Sequence, residues 1–302
     1  MTPIALVGIG KIAVDQHVPA IAESTDWNLA ATVSRSGSVP GVTAFNDFDR
    51  MLAERPDIPV VSLCLPPVPR FAYAAKALKA GRHVMLEKPP GATLAEVVAL
   101  EDLARTRGRT LYATWHSRMA SAVADTKARL VGQTHRRTHV TWREDVRRWH
   151  PGQEWVFDPG GMGVFDPGIN ALSILTEILP FPIHLTEATL EVPENRQTPI
   201  AASLTFTEAV TAEFDWRQEG PQTWQIEVET DRETLLLADG GARLMVDEAE
   251  FSTGPNREYP ALYAEMARLM QAGNQSVDIT PMIHVADAMT LGKRVSTASF
   301  LL

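Results

Sequence analysis

The first third of the chain alternates short apolar runs with stretches whose apolar residues recur at helical spacing. Apolar runs fall at 4–7, 29–33, 60–65, 83–86 and 110–113, and helical patterns at 18–22, 48–52, 72–78 and 94–104. Strands alternating with helices in this way build βαβ units, and the crossover helices cover both faces of a parallel sheet. A doubly wound α/β domain is therefore expected over 1–120.

From about Arg137 onward the period changes to two. Ala212, Phe214 and Trp216 alternate with Thr211, Glu213 and Asp215, and Trp224, Ile226 and Val228 alternate with Gln225, Glu227 and Glu229. Such alternation marks strands with one face packed on a core and the other open. Further strands are expected at 202–206, 235–237 and 244–246, with helices at 163–175, 259–272 and 281–295. The second domain, 121–302, should thus be α+β with an open-faced, mostly antiparallel sheet. Its free face could pair subunits in a homo-oligomer, and its last helix could pack back on the first domain.

A length of 302 residues fits two domains better than one. No apolar run approaches the roughly 18 residues that span a bilayer. The N-terminus enters its first apolar run without the basic segment of a signal peptide, so a cytoplasmic location is expected. Cys64, the only cysteine, lies in the run 60–65, where a reduced, buried thiol is expected and no internal disulfide can form. A net charge of -9 without a long basic run argues against a nucleic-acid surface, so an anionic ligand must be held by local positive groups. The scattered histidines show no zinc-ligand spacing, and no metal is expected.

Gly8-Ile9-Gly10-Lys11-Ile12-Ala13 follows the first strand and opens a helix, giving the G-x-G-x-x-A form of the dinucleotide fingerprint. Gly8 permits the tight turn, Gly10 lets a pyrophosphate approach the backbone, and Ala13 allows helix and strand to pack closely. The helix start, with Lys11 and Ile12, supplies partial positive charge. The first domain is therefore expected to be a Rossmann domain. At the end of the second strand stand Ser34-Arg35-Ser36, where an NAD-specific protein usually carries an acid for the ribose 2′-hydroxyl. A guanidinium fork and a hydroxyl suit a 2′-phosphate, so NADP is the expected cofactor, with NAD as a tolerated second.

Glu87-Lys88-Pro89-Pro90 follows the strand at 83–86, at the sheet end where ligand chemistry collects in parallel α/β folds. The Leu65-Pro66-Pro67 turn and the Lys88-Pro89 bond can each hold a rigid turn, and either can contain a cis peptide. Together, Gly8-x-Gly10-x-x-Ala13, Glu87-Lys88-Pro89, Gly160-Gly161 and Asp166-x-Gly168-x-Asn170 resemble the glucose-fructose oxidoreductase and inositol dehydrogenase family over essentially the whole chain. The resemblance implies an NAD(P)-dependent sugar or polyol oxidoreductase. It places Lys88, Asp166 and Asn170 at the reaction, and Gly8, Gly10, Lys11, Ile12, Ser34, Arg35, Leu65, Pro66, Glu87 and Lys88 around the cofactor.

Many members of that family carry histidine where this chain has Asn170. An amide cannot titrate, so Asn170 can only orient, and proton abstraction falls to Asp166 or to Lys88. Asp166 and Asn170 are four positions apart and share a helix face. The Asp-Pro-Gly-Ile-Asn form at 166–170 resembles the branch that acts at C1 of L-arabinose and D-galactose. By the same resemblance His116, Glu144, Trp149 and His150 are expected to contact the sugar, in a region rich in tryptophan, whose faces cover the apolar edge of a pyranose. The expected activity is NADP-dependent oxidation of the aldose to its aldonolactone. Two alternatives remain open at this point, an inositol or polyol dehydrogenase and a non-catalytic NADP-binding sensor.

Overall fold

Hydrophobic continuity in the early strands shows as complete burial: Ile4, Ala5, Leu6, Val60, Val61 and Leu63 have no exposed surface. In chain order the first elements are β1 (Thr2–Val7), α1 (Val18–Glu23), β2 (Trp27–Val33), β3 (Thr43–Phe45), α2 (Phe48–Glu54), β4 (Val60–Leu63), α3 (Pro67–Lys79), β5 (His83–Leu86), α4 (Leu94–Arg107) and β6 (Leu111–Ala113). The six strands form one parallel sheet in the order β3-β2-β1-β4-β5-β6. This is the doubly wound order, and strand order reverses between β1 and β4, where ligands bind in such sheets. Local chemistry sets the helix ends. Asp47 accepts from the Arg50 N–H to cap α2, and Thr93 with Glu96 forms a capping box at the start of α4.

The computed structural model describes all 302 residues, and the chain folds as two units, Met1–His116 with Glu258–Ile279 and Ser117–Arg257 with Thr280–Leu302. The second contains α5 (Val123–Leu130), β7 (His135–Arg143), α6 (Val146–Trp149), α7 (Phe165–Ile178), β8 (Leu185–Pro193), β9 (Ala201–Phe206), β10 (Val210–Asp215), β11 (Thr223–Thr230), β12 (Thr234–Ala238), β13 (Arg243–Val246) and β14 (Ala249–Thr253). The chain then forms α8 (Glu258–Ala272), which belongs to the first unit, and returns to the second as α9 (Thr280–Leu291) and β15 (Lys293–Thr297). The segment that rejoins the nucleotide unit is thus α8 with the residues after it, where the last helix had been expected.

The second sheet has nine strands in the order β14-β13-β12-β11-β7-β10-β9-β8-β15. Its pairs are antiparallel except β7 with β10 and β8 with β15. Val140, Trp142, Ala212, Phe214, Ile226 and Val228 form the buried face, as the period-two pattern requires. Helix α7 packs close because Gly168 has no side chain: a Cβ there would lie 2.9 Å from the Phe214 ring. The opposite face carries cross-strand ion pairs, Arg137 with Glu227 and Glu229, and Arg143 with Glu213.

Two expectations need correction. The helix expected over 281–295 ends at Leu291, and 293–297 instead pair with β8, a long-range pairing that local spacing does not reveal. Gly292 follows α9, and a Cβ there would lie 2.4 Å from the Ala288 carbonyl. The strand over 60–65 stops at Leu63, which leaves Cys64 half-buried rather than fully enclosed. Strands β3, β8 and β14 escape detection, being short or only partly alternating.

Candidate functional site

The fingerprint residues meet at the switch point of the first sheet. Gly8 has φ +88°, a conformation that strains other residues, and a Cβ on it would lie 3.0 Å from the Leu65 main-chain nitrogen. Main-chain bonds from Gly8 to the Val33 carbonyl and from Cys64 to the Val7 carbonyl hold the turn between its neighbours. Nothing lies within 4 Å of the position a Gly10 Cβ would take, so open space faces the glycine. This is the approach a pyrophosphate needs, and Ala13 is fully buried where helix meets sheet. Ile12 and Lys11 are exposed at the helix start, and Lys11 pairs with Asp15 one turn on.

A cavity of about 500 Å³ opens at the end of β2, lined among others by Ser34, Arg35, Ser36, Asn46, Arg50 and Glu54. Ser34 Oγ accepts from the Gly37 N–H at 3.0 Å, which leaves its own proton available to donate. Arg50 holds Glu54 at 2.6 Å across the helix. The cavity thus brings the Arg35 and Arg50 guanidiniums together with the Glu54 carboxylate. Asn46 and Arg50 went unnoticed in the sequence because they reach this cavity from β3 and α2, which only the parallel pairing of β2 with β3 places there.

Lys88 follows β5, and its bond to Pro89 is cis. The main chain around it is held on both sides. Arg70, nearly fully buried on α3, donates to the carbonyls of Glu87 and Pro89 and, at 3.0 Å through Nε, to that of Leu65. Glu87 is buried as well, and its side chain faces inward: Oε1 is 2.9 Å from His17 Nε2, and Oε2 accepts from the Lys88 N–H at 3.0 Å. The Glu87 carboxylate is thus engaged by His17 and the Lys88 N–H, and its carbonyl by Arg70. His116 lies near this cluster, stacked on Tyr259 and 2.5 Å from Glu258 through Nδ1.

Burial alone would push the His17 imidazole down, but Cys64, Tyr263 and Glu87 beside it outweigh burial and hold it well above the ordinary 6.5. Burial would push Glu87 up from 4.5, but the bond from His17 and the charges of His17, His116 and Arg70 bring it to about 2. A raised histidine adds stability that is complete below 6.5 and is lost as pH rises through its folded value. A lowered glutamate adds stability that is complete above 4.5 and is lost as pH falls toward about 2. Thermal melts should therefore show the Tm gap between the native chain and His17→Leu widest between pH 4.5 and 6.5. A gap that does not vary with pH would mean the pair is not ionised.

In the second unit α7 carries Asp166 in its first turn and Asn170 one turn later. The entry to the helix is fixed by Gly163, at φ +55°, where a Cβ would lie 2.3 Å from the Pro199 carbonyl. Main-chain bonds from Gly163 to the Val156 carbonyl and from Val164 to the Pro199 carbonyl complete this anchorage. His150 Nε2 stands 3.1 Å from Asp166 Oδ2, while Nδ1 faces Gln153 Oε1 at 3.3 Å. An imidazole is therefore within proton-transfer distance of Asp166.

Around this pair the inner face of the sheet ends in indoles. Trp224 stacks on Trp142 with ring centroids 5.9 Å apart and meets Trp149 at 5.7 Å, while Trp216 lies edge-on to His150 at 5.3 Å. Glu144 is buried beneath them, accepting from Trp216 Nε1 at 3.0 Å and Trp224 Nε1 at 2.9 Å. Trp149 donates to Gln222. Glu144 was expected to touch sugar directly. Its observed bonds fix two tryptophan planes.

The parallel sheet with its glycine turn defines an NAD(P)-binding Rossmann unit, here joined to a second unit in which Asp166 of α7 pairs with His150. Residues 3–114 match the oxidoreductase family with an NAD-binding Rossmann fold that is named after glucose-fructose oxidoreductase, inositol dehydrogenase and MocA. The galactose 1-dehydrogenase of Pseudomonas fluorescens is 39% identical over 306 residues, spanning 99% of each chain. The crystal structure of the D-galactose-1-dehydrogenase protein from Rhizobium etli superposes with a TM-score of 0.96 at 52% identity, covering 99% of this chain and 97% of that one. The 3-ketoreductase KijD10 of Actinomadura kijaniata, solved with NADP and TDP-benzene, shares the fold at 19% identity, with a TM-score of 0.83 over 98% of this chain and 99% of its own. The chain belongs to the glucose-fructose oxidoreductase and inositol dehydrogenase family. Among its helices none is long and apolar enough to cross a membrane.

Proposed function

We propose that the protein is an NADP-dependent aldose 1-dehydrogenase that oxidises C1 of D-galactose and L-arabinose to the aldonolactone. The reading rests on one observation above the others: Asp166 is paired with His150 at 3.1 Å in a chain that is alike over its whole length to galactose 1-dehydrogenases. The two sugars share the stereochemistry of their ring hydroxyls and differ at C5, so a site that reads the ring accepts both.

The bound nicotinamide cofactor supplies the hydride acceptor. Asp166 takes the proton of the anomeric hydroxyl, and His150 receives it from the carboxylate, the role an amide at 170 cannot fill. The Lys88 ammonium stabilises negative charge as it develops on that oxygen, and Asn170 orients it. Trp149 and Trp224 offer faces for the C–H edge of the ring. An inositol or polyol dehydrogenase is disfavoured by Asn170, and a pure sensor by the retention of Lys88, Asp166 and His150 together.

Cofactor choice rests on Arg35 and its neighbours. Arg35→Ala removes a charged partner worth about 1.5–3 kcal/mol to a phosphate, so kcat/KM for NADP should fall by about 10- to 100-fold. The value for NAD should change by less than about threefold, since a 2′-hydroxyl gains little from the guanidinium. Steady-state kinetics with both cofactors checks this, and an equal loss for both would remove the 2′-phosphate assignment. Trapping the product with hydroxylamine as a hydroxamate, read as its ferric complex, tests for the lactone, because the ketone left by oxidation of an inositol or polyol gives an oxime and no hydroxamate.

A further inference from the structure

The helical run over 11–23 that follows the fingerprint is irregular. Its stretch Ala13–His17 is wound as a π-helix before α1 begins, and Pro19, which has no N–H, removes a donor from the ladder there. Single π turns inside helices are uncommon and collect at functional positions. Here the π turn carries His17 into the interior, where the ring is 1% exposed. Both ring nitrogens are engaged, Nδ1 by the Tyr263 hydroxyl of α8 at 2.8 Å and Nε2 by Glu87. Tyr263 in turn reaches Ser62 of β4 at 3.4 Å, and Tyr259 of α8 lies edge-on to the imidazole.

Glu87 faces His17 from the fingerprint helix, Arg70 from α3, His116 from beyond β6 and Tyr259 from α8. Cys64, beyond β4, is the remaining titratable group against His17. A buried ion pair contributes little net stability compared with apolar residues of the same volume. Stability alone is therefore a poor reason for this one. What the pair does achieve is local: the second oxygen of Glu87 holds the Lys88 N–H, on the peptide whose flanking carbonyls Arg70 holds.

We propose that His17 is a positioning residue for Lys88, acting through Glu87 to tie the helix opened by the nucleotide fingerprint to the main chain of the lysine. The inference rests on the catalytic role given to Lys88 above. With His17 in place Glu87 keeps one rotamer, its charge is matched by the imidazolium, and the lysine stem starts from a fixed point. Without it the carboxylate turns toward other donors and the Lys88 peptide loses its anchor.

The test uses the full chain with NADP and D-galactose. In His17→Leu, kcat should fall by about 10- to 100-fold, while sugar KM and the Kd for NADP stay within about threefold, as expected when a transition-state interaction is lost. His17→Gln keeps a donor toward Glu87 and an acceptor for Tyr263, and should return kcat to within about threefold of the native value. In a second readout that needs no turnover, the rate at which acetic anhydride labels Lys88, followed by mass spectrometry, should change at least about threefold in His17→Leu. Labelling of the exposed Lys76 and Lys127 should not change.

The proposal is overturned if kcat in folded His17→Leu is native-like, if the loss lies in KM or Kd, or if His17→Gln loses as much as His17→Leu. Should His17→Leu not fold, His17→Asn, too short to reach Glu87, takes its place with the same expected split. If the native chain turns over no sugar, the activity reading fails, and Lys88 labelling alone decides the positioning role.

Discussion

Asp166→Ala is expected to lower kcat by about 10²- to 10⁴-fold, the range a positioned general base contributes. The carboxylate lies in the first turn of α7, held by the Gly163 turn and paired with His150, so its removal leaves the helix and its packing in place. Circular dichroism and Tm should therefore stay near native while turnover collapses, and sugar KM should move far less than kcat. His150→Gln should produce a smaller loss in the same direction, because Asp166 can still accept the proton but passes it on slowly. Stopped-flow single turnovers separate the two effects from product release. An Asp166→Ala variant with turnover within about threefold of native would remove the carboxylate from the proton path.

Lys88→Ala is expected to lower kcat by about 10²- to 10³-fold, the scale seen when one charge-stabilising donor is lost from a reacting oxygen. Arg70 and Glu87 hold the main chain at this point, so the side chain can be removed without releasing the turn. In the proposed mechanism the lysine charge and the Asp166 proton step act on one reacting group, and on that reading their effects should not add. The double variant is expected to be only slightly worse than the poorer single variant. Full additivity, measured as the product of the two losses, would mean that the residues act at separate steps.

Much of this was legible in the chain itself. The glycine fingerprint had its strand before it and helix after it, and period-two alternation placed Phe214 and Val228 on the buried face of the second sheet. A helix over 163–175 would put Asp166 and Asn170 on one face, and α7 spans Phe165–Ile178. What escaped was whatever depends on partners distant in sequence. The Asn46 and Arg50 side of the cavity depends on sheet order, and β15 on its pairing with β8. The resemblance assigns Glu144 to the sugar, and the bonds from its oxygens to indoles more than seventy positions away are not legible in the local sequence. His17 gave no signal, since no local pattern shows that a histidine one turn past a fingerprint is drawn inward to a glutamate beyond a different strand.

The central claim is that C1 of a free aldose gives up its hydrogen to the cofactor. It is tested most directly with D-galactose carrying deuterium at C1, by measuring deuterium in the reduced cofactor by mass spectrometry. The account predicts stoichiometric transfer into NADPH together with formation of galactonolactone. Reduction of NADP without deuterium in the cofactor would place the oxidation at another carbon, and no reduction with any aldose, despite tight NADP binding, would contradict the enzymatic reading altogether.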